Sequence, residues 1–165
     1  MRARSISHAG TAGLVALLSW GAVAVALFSQ HTLDMQPCPW CIVQRLAYLL
    51  VGCFAILSIL ATQTSLWARA PLLVAAVAAV GGLAAAMYQQ LVAAETSSCA
   101  LTAADRLIAA TGLDELLPAV FKASAACDEA NAPLLGVPYA IWSAALAVVL
   151  IGLVFRALRR AGLRT

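Results

Sequence analysis

Along this chain the apolar positions gather into four long runs, near 12–28, 42–61, 72–92 and 139–155. Each approaches the about 20 residues that an α-helix needs to cross a hydrocarbon core. Little chain is left over. The pattern predicts an all-α fold, a four-helix transmembrane bundle forming one domain over residues 1–165. A short polar loop, about 29–41, separates the first two runs, and a long one, about 93–138, separates the last two. In the long loop Leu113, Leu116, Leu117, Val120 and Phe121 recur at i, i+3, i+4, i+7 and i+8, one face of a helix. Asp114 and Glu115 lie near its start and Lys122 near its end, as the helix dipole favours. This segment is too short to span and is predicted as an amphipathic interfacial helix, with Pro118 placed to split it into two turns. Packing of the same face on the bundle is the alternative. The third run is rich in small residues, including Gly81-Gly82 and Ala84-Ala85-Ala86, which let membrane helices approach closely. Trp67, in the short link Thr62–Pro71, fits an interfacial anchor.

Composition agrees. The chain is 64% hydrophobic and 10% charged, with mean hydropathy +0.95, against about 25% charge in soluble domains. A soluble globule this short has no room to hide so much apolar surface. The basic residues orient the bundle. Arg2, Arg4, Arg69, Arg156, Arg159, Arg160 and Arg164 fall on one side if all four runs cross, and only Arg45, Arg106 and Lys122 on the other. The positive-inside rule makes the first side cytoplasmic, with both termini there and both polar loops outside. The net charge of +3 is explained by topology and calls for no nucleic-acid partner. Basic residues before an apolar run also describe a signal peptide. Its removal would leave three spans in the same final orientation, but this run is longer than a usual signal core.

Chemistry enters through cysteine. Cys38 and Cys41 form a close pair in Pro37-Cys38-Pro39-Trp40-Cys41, and Cys99 and Cys127 a distant pair in the long loop. In a bacterium both would face the oxidising periplasm, where disulfides persist. A residue before proline is pushed out of helical geometry, so Cys38 is expected to be extended and Cys41 to open the second helix. A helix N-terminus and a nearby cation both favour a thiolate. Arg45, at i+4 from Cys41, is that cation. It lies at the lipid boundary, where an arginine needs a reason, snorkelling to headgroups being the plain one. Pro39 removes a backbone donor near the sulfurs.

A C-x-x-C serves as a redox pair, half a metal site or a structural disulfide. A zinc site from the four cysteines, with His31 as a substitute ligand, is disfavoured by the long interval from Cys99 to Cys127. Cys53, mid-span, is read as a buried, inert small hydrophobe. Tyr88, Gln89 and Gln90, at the outer end of the third run, either face a site or reach the headgroups. Two thiol pairs outside a membrane, one pressed against it, point to electrons passing from pair to pair and then into the lipid.

Gln30-His31, then Pro37-Cys38-Pro39-Trp40-Cys41 with Gln44-Arg45, resembles the first-loop signature of the DsbB family, bacterial inner-membrane quinone reductases that reoxidise the periplasmic dithiol oxidase DsbA. Pro118-Ala119-Val120-Phe121, Ala123-Ser124 before Cys127, and Leu135-Gly136-Val137-Pro138 extend the resemblance over nearly the whole chain. It implies the known circuit in which DsbA, DsbB and quinone keep the periplasm oxidising. It implies that reduced DsbA attacks a Cys99–Cys127 disulfide at Cys99, that Cys127 exchanges with Cys38, and that Cys41 donates to a bound ubiquinone or menaquinone beside Arg45. The chain departs from the family where the third helix ends. A histidine is usual there, and Met87-Tyr88-Gln89-Gln90 stands here, with Gln90 or Gln89 in its place. Glutamine hydrogen-bonds a quinone oxygen but does not donate a proton at neutral pH. Two other readings compete. One is a non-catalytic scaffold or transporter subunit with structural disulfides. The other is an enzyme like vitamin-K-epoxide reductase, which a C-x-x-C opening the second helix fits less well.

Overall fold

The computed structural model describes residues 2–61, 65–93, 103–127, 130 and 133–162. Helices α1 (Arg2–Thr32), α2 (Pro39–Leu60) and α3 (Ser65–Tyr88) come first, α3 continuing into a π-helical turn, Gln89–Ala93. Three short helices follow: α4 (Ala103–Thr111), α5 (Leu113–Leu116) and α6 (Pro118–Phe121). Two-residue strands β1 (Pro133–Leu134) and β2 (Val137–Pro138) then lead into α7 (Tyr139–Gly162). Four helical stretches, His8–Thr32, Pro39–Leu60, Leu66–Ala93 and Tyr139–Ala161, are long and apolar enough to cross a membrane. The protein is a multi-pass membrane protein of the all-α class.

The long helices outrun the apolar runs because a helix ends at a cap or a breaker, not where hydropathy falls. α3 starts ahead of Pro71, which lies inside its second turn and removes one backbone bond there. α1 ends where the Ser29 carbonyl accepts from Leu33 N–H (3.1 Å) and Met35 N–H (3.2 Å). Asp34 takes the left-handed position (φ 53°) that glycine usually fills.

α2 packs on α1 and α3, and α7 closes the bundle against α3 and α1. The interior is small and aliphatic: Val15, Val51, Ala55, Leu72, Ala79 and Leu150 are fully buried. Large apolar residues such as Leu17, Leu60, Val77, Val148 and Phe155 point outward. That inverted distribution suits lipid, in which association rests on close packing rather than on hydrophobic exclusion. At the arginine-rich end Arg160 Nη1 donates to Thr11 Oγ1 at 2.6 Å, tying α7 to α1. Cys53 is not buried, as the sequence led us to expect, but exposed on the outer side of α2. The face of α2 that turns inward carries Val51, Gly52 and Ala55, which puts Cys53 on the opposite side.

The long loop is more structured than its pattern announces. α4 buries Ala104 and Ile108, one turn apart, and lies against α2. The amphipathic segment is two single turns broken at Leu117, before Pro118. Its stripe divides: Phe121 is buried in a cluster with Ile42 and Ile108, whereas Leu116 and Leu117 are exposed. The β1–β2 hairpin, absent from the sequence reading, turns through Leu135 (φ 55°) and Gly136 (φ 81°), the two positive φ values of a type I′ turn. Trp142 Nε1 donates to the Leu134 carbonyl at 3.1 Å and fastens the hairpin to α7.

Gly52 is where α2 admits the Trp20 indole of α1, and a β-carbon there would overlap the ring. Gly52→Val is therefore expected to destabilise the detergent-solubilised protein by about 1–3 kcal/mol, the usual cost of overpacking. Thermal unfolding checks this. An unchanged midpoint would show that Trp20 swings aside freely.

Candidate active site

The site begins with two prolines. Pro39 is the first residue of α2, where its missing N–H costs nothing. Cys38, held between Pro37 and Pro39, is extended (φ −86°, ψ 168°) and caps the helix. Its sulfur accepts the Cys41 N–H at 3.4 Å, the task that a serine or aspartate oxygen usually performs. The cap fixes Cys41 in the first turn and brings the two sulfurs to 3.0 Å. Both thiols are free. Trp40, between them, stacks at a tilt on Tyr88, with ring centroids 4.6 Å apart, so the start of α2 is locked to the end of α3.

The second loop is fastened to the same five residues. Ser124 N–H and Ala125 N–H both donate to the Pro37 carbonyl, at 3.0 and 3.2 Å. Ser124 Oγ donates to Gln36 Oε1 at 2.7 Å, and Gln36 Nε2 to Asp34 Oδ1 at 2.6 Å. This clamp brings Cys127 against Cys38, and both are buried beneath Ala93. Hydrogen bonding to Cys127, then to Cys41, and burial push the Cys38 thiol far above its ordinary range. Cys38 is a neutral thiol at physiological pH, shared between two neighbours. Cys99 lies outside the described residues.

On its other side Cys41 meets Gln89, the first residue of the π turn. Gln44 Nε2 donates to Gln89 Oε1 at 2.7 Å. That bond fixes the Gln89 amide and aims its Nε2 at the Cys41 sulfur, 3.3 Å away. π turns are frequent at functional sites; here one delivers a buried amide to a thiol. Gln90, the next residue, is half-buried and does not line the cavity described below. Arg45 is 6% exposed, and its Nη1 donates to Gln30 Oε1 at 2.7 Å and to the Val120 carbonyl at 3.0 Å. Among the described residues its hydrogen-bond partners are neutral. His31 is exposed at the end of α1.

A cavity of about 270 Å³ opens beside these groups between α1, α2 and α7. Cys41, Gln44, Arg45, Tyr48 and Tyr139 line it on the polar side, and Val23, Ala26 and Leu146 on the apolar side. Val25 and Trp142 line it too and are exposed on the outer surface of the bundle, so the cavity reaches the face that lipid covers. Its volume is near the lower end of small-ligand pockets, about 300–1,000 Å³. A mostly apolar chamber with a few polar side chains suits a small, largely apolar ligand.

Thiols in contact at one end of a four-helix membrane bundle, two of them buried and the third, Cys41, facing a cavity, define a membrane thiol protein. Comparison with known proteins gives the family. The model described as "Disulfide bond formation protein DsbB" matches residues 8–157. The chain is 34% identical over 132 residues to disulfide bond formation protein B of Cupriavidus metallidurans, covering 79% of this chain and 80% of that one. It is 33% identical over 139 residues to the protein of the same name from Ralstonia nicotianae, covering 83% and 85%. With that of a Polaromonas species it shares 32% over 145 residues, 86% of each. The chain belongs to the DsbB family and carries its role as a disulfide-forming oxidoreductase.

The Pro37 clamp has a direct test. In a background with Cys41 and Cys99 replaced by serine, mild oxidation is expected to cross-link Cys38 to Cys127. Ser124→Pro removes two clamping bonds, the N–H to Pro37 and the hydroxyl to Gln36, and is expected to slow that cross-link about 5- to 30-fold, the equivalent of about 1–2 kcal/mol. Equal rates on non-reducing gels would show that the clamp does not hold Cys127 in place.

Proposed function

We propose that the protein reoxidises a DsbA-type thioredoxin-fold oxidase in the bacterial periplasm and passes the two electrons to membrane quinone, ubiquinone or menaquinone. One observation carries the proposal: the Cys38 thiol touches both Cys127 and Cys41, and Cys41 lines an apolar cavity beside Arg45. In this reading the protein is an inner-membrane dithiol:quinone oxidoreductase with cytoplasmic termini and both cysteine loops periplasmic.

The thiol chemistry balances at each exchange. A partner thiolate attacks Cys99 of a Cys99–Cys127 disulfide, forming a mixed disulfide and releasing Cys127 as thiolate. The partner's second thiol resolves the mixed disulfide and leaves oxidised, and Cys99 takes up a proton. Cys127 attacks Cys38 of a Cys38–Cys41 disulfide and releases Cys41 as thiolate. Return of Cys99 to Cys127 frees Cys38. The Cys38–Cys41 pair then closes by giving up two electrons.

The chain's residues prepare the released Cys41. Its position in the first turn of α2 offers the helix N-terminus, the Gln89 amide aims an N–H at its sulfur, and Arg45 supplies a buried positive charge whose bonded partners are neutral. A charge in that condition is costly unless an anion forms beside it. Arg45, on the polar side of the cavity, would hold the quinone head, which accepts two electrons and two protons when bound. Gln89 rather than Gln90 takes the place beside Cys41 in this scheme.

Steady-state quinone reduction with a reduced DsbA-type partner tests the proposal. Cys41→Ser is expected to abolish turnover without loss of membrane insertion. Arg45→Met is expected to lower quinone efficiency about 10- to 100-fold, the range for a hydrogen bond to a charged group. A folded wild type that reduces no quinone would favour the scaffold with structural disulfides.

A further inference from the structure

The donors that line the cavity are mostly spoken for. Gln44 Nε2 is bonded to Gln89 and Trp142 Nε1 to the Leu134 carbonyl. The Tyr48 hydroxyl sits 2.7 Å from the Ser143 carbonyl and 2.6 Å from Ser143 Oγ. Each of these bonds holds two elements together; those of Gln44 and Tyr48 are buried, so giving one to a ligand would leave a buried polar group unpaired, and that of Trp142 fastens the hairpin.

Tyr139 differs. It is the first residue of α7, positioned by the hairpin just before it, and its side chain lines the cavity with Cys41 and Arg45. Its hydroxyl is bonded to Ser29 and lies in the field of Arg45 and Cys41. Ser29 Oγ has a second partner, the Val25 carbonyl, to which it donates at 2.9 Å. If Tyr139 turns away, Ser29 keeps its bond to Val25. The exchange therefore strands no proton and no backbone group.

A phenol also suits both redox forms of a quinone. A quinone oxygen only accepts a hydrogen bond, whereas a quinol hydroxyl donates one. Arg45 has donors alone, but a tyrosine hydroxyl has both functions and needs only to rotate. We propose that Tyr139 is a quinone-binding residue whose hydroxyl swings from Ser29 to a ring oxygen in the cavity beside Cys41. This rests on the quinone reading above. Tyr139 then fixes which ring oxygen lies near Cys41 and holds the head group through a change of redox state.

The test is equilibrium binding of ubiquinone-1 and menadione to quinone-depleted protein in detergent, alongside steady-state turnover. Tyr139→Phe keeps the ring and removes the hydroxyl. It is expected to weaken binding of the preferred quinone about five- to tenfold and to raise its KM in proportion, while the KM for the dithiol partner stays constant. Ser29→Ala, which removes the resting partner and leaves the Tyr139 hydroxyl in place, is expected not to weaken quinone binding. Wild-type affinity in Tyr139→Phe would overturn the assignment. So would an equal loss in both variants, because the Tyr139–Ser29 pair would then merely tie α7 to α1. A wild type that binds neither quinone would instead overturn the quinone reading itself, and the assignment with it.

Discussion

A sulfur caps a helix in this protein, and the rest of the site hangs on that contact. The Cys41 N–H reaches the Cys38 sulfur only because Pro37 and Pro39 hold Cys38 extended at the start of α2. The same five residues make two further attachments. The Pro37 carbonyl receives Ser124 and Ala125 from the second loop, and Trp40 stacks on Tyr88, just ahead of the turn that bears Gln89. One short segment thus sets the distance from Cys38 to Cys41, brings Cys127 to Cys38 and brings an amide to Cys41. The chain of contacts has a direction, with a neutral shared thiol in the middle and a cavity at one end.

The second constraint is electrostatic. Arg45 is buried with its charge, among polar but neutral partners. Membrane-buried cations are rare and usually mark function. Here the group that can compensate the charge is the neighbouring sulfur, and only once it is ionised. The two bonds that Arg45 makes also join α1 and the turn after Leu117 to α2. The cation beside Cys41 is therefore also a fastening between the bundle and the second loop.

Much of this is legible in the amino-acid sequence. The four apolar runs and the break at Pro118 follow from hydropathy and proline chemistry. Pro-Cys-Pro implies an extended Cys38 and a helical Cys41, as found. Other features were not legible because they depend on contacts distant in sequence. Gln44 is three residues from Cys41, but its bond to Gln89 spans 45 positions, and nothing local distinguishes Gln89 from Gln90. Ser124 and Gln36 look like ordinary loop residues until the clamp joins them across 88 positions. α4 leaves little trace in the pattern because only Ala104 and Ile108 mark its buried face. The exposure of Cys53 is not legible in the sequence because hydropathy does not distinguish the lipid side of a span from its core side.

The central claim is that electrons leave the protein through Cys41. A single turnover tests it most directly: fully reduced, quinone-depleted protein, without any DsbA-type partner, mixed anaerobically with one equivalent of quinone. Loss of two thiols per quinone consumed, with the new disulfide mapped by mass spectrometry to Cys38–Cys41, is the expected result. Quinone left oxidised and all thiols still free, in folded protein that binds the quinone, would contradict the account.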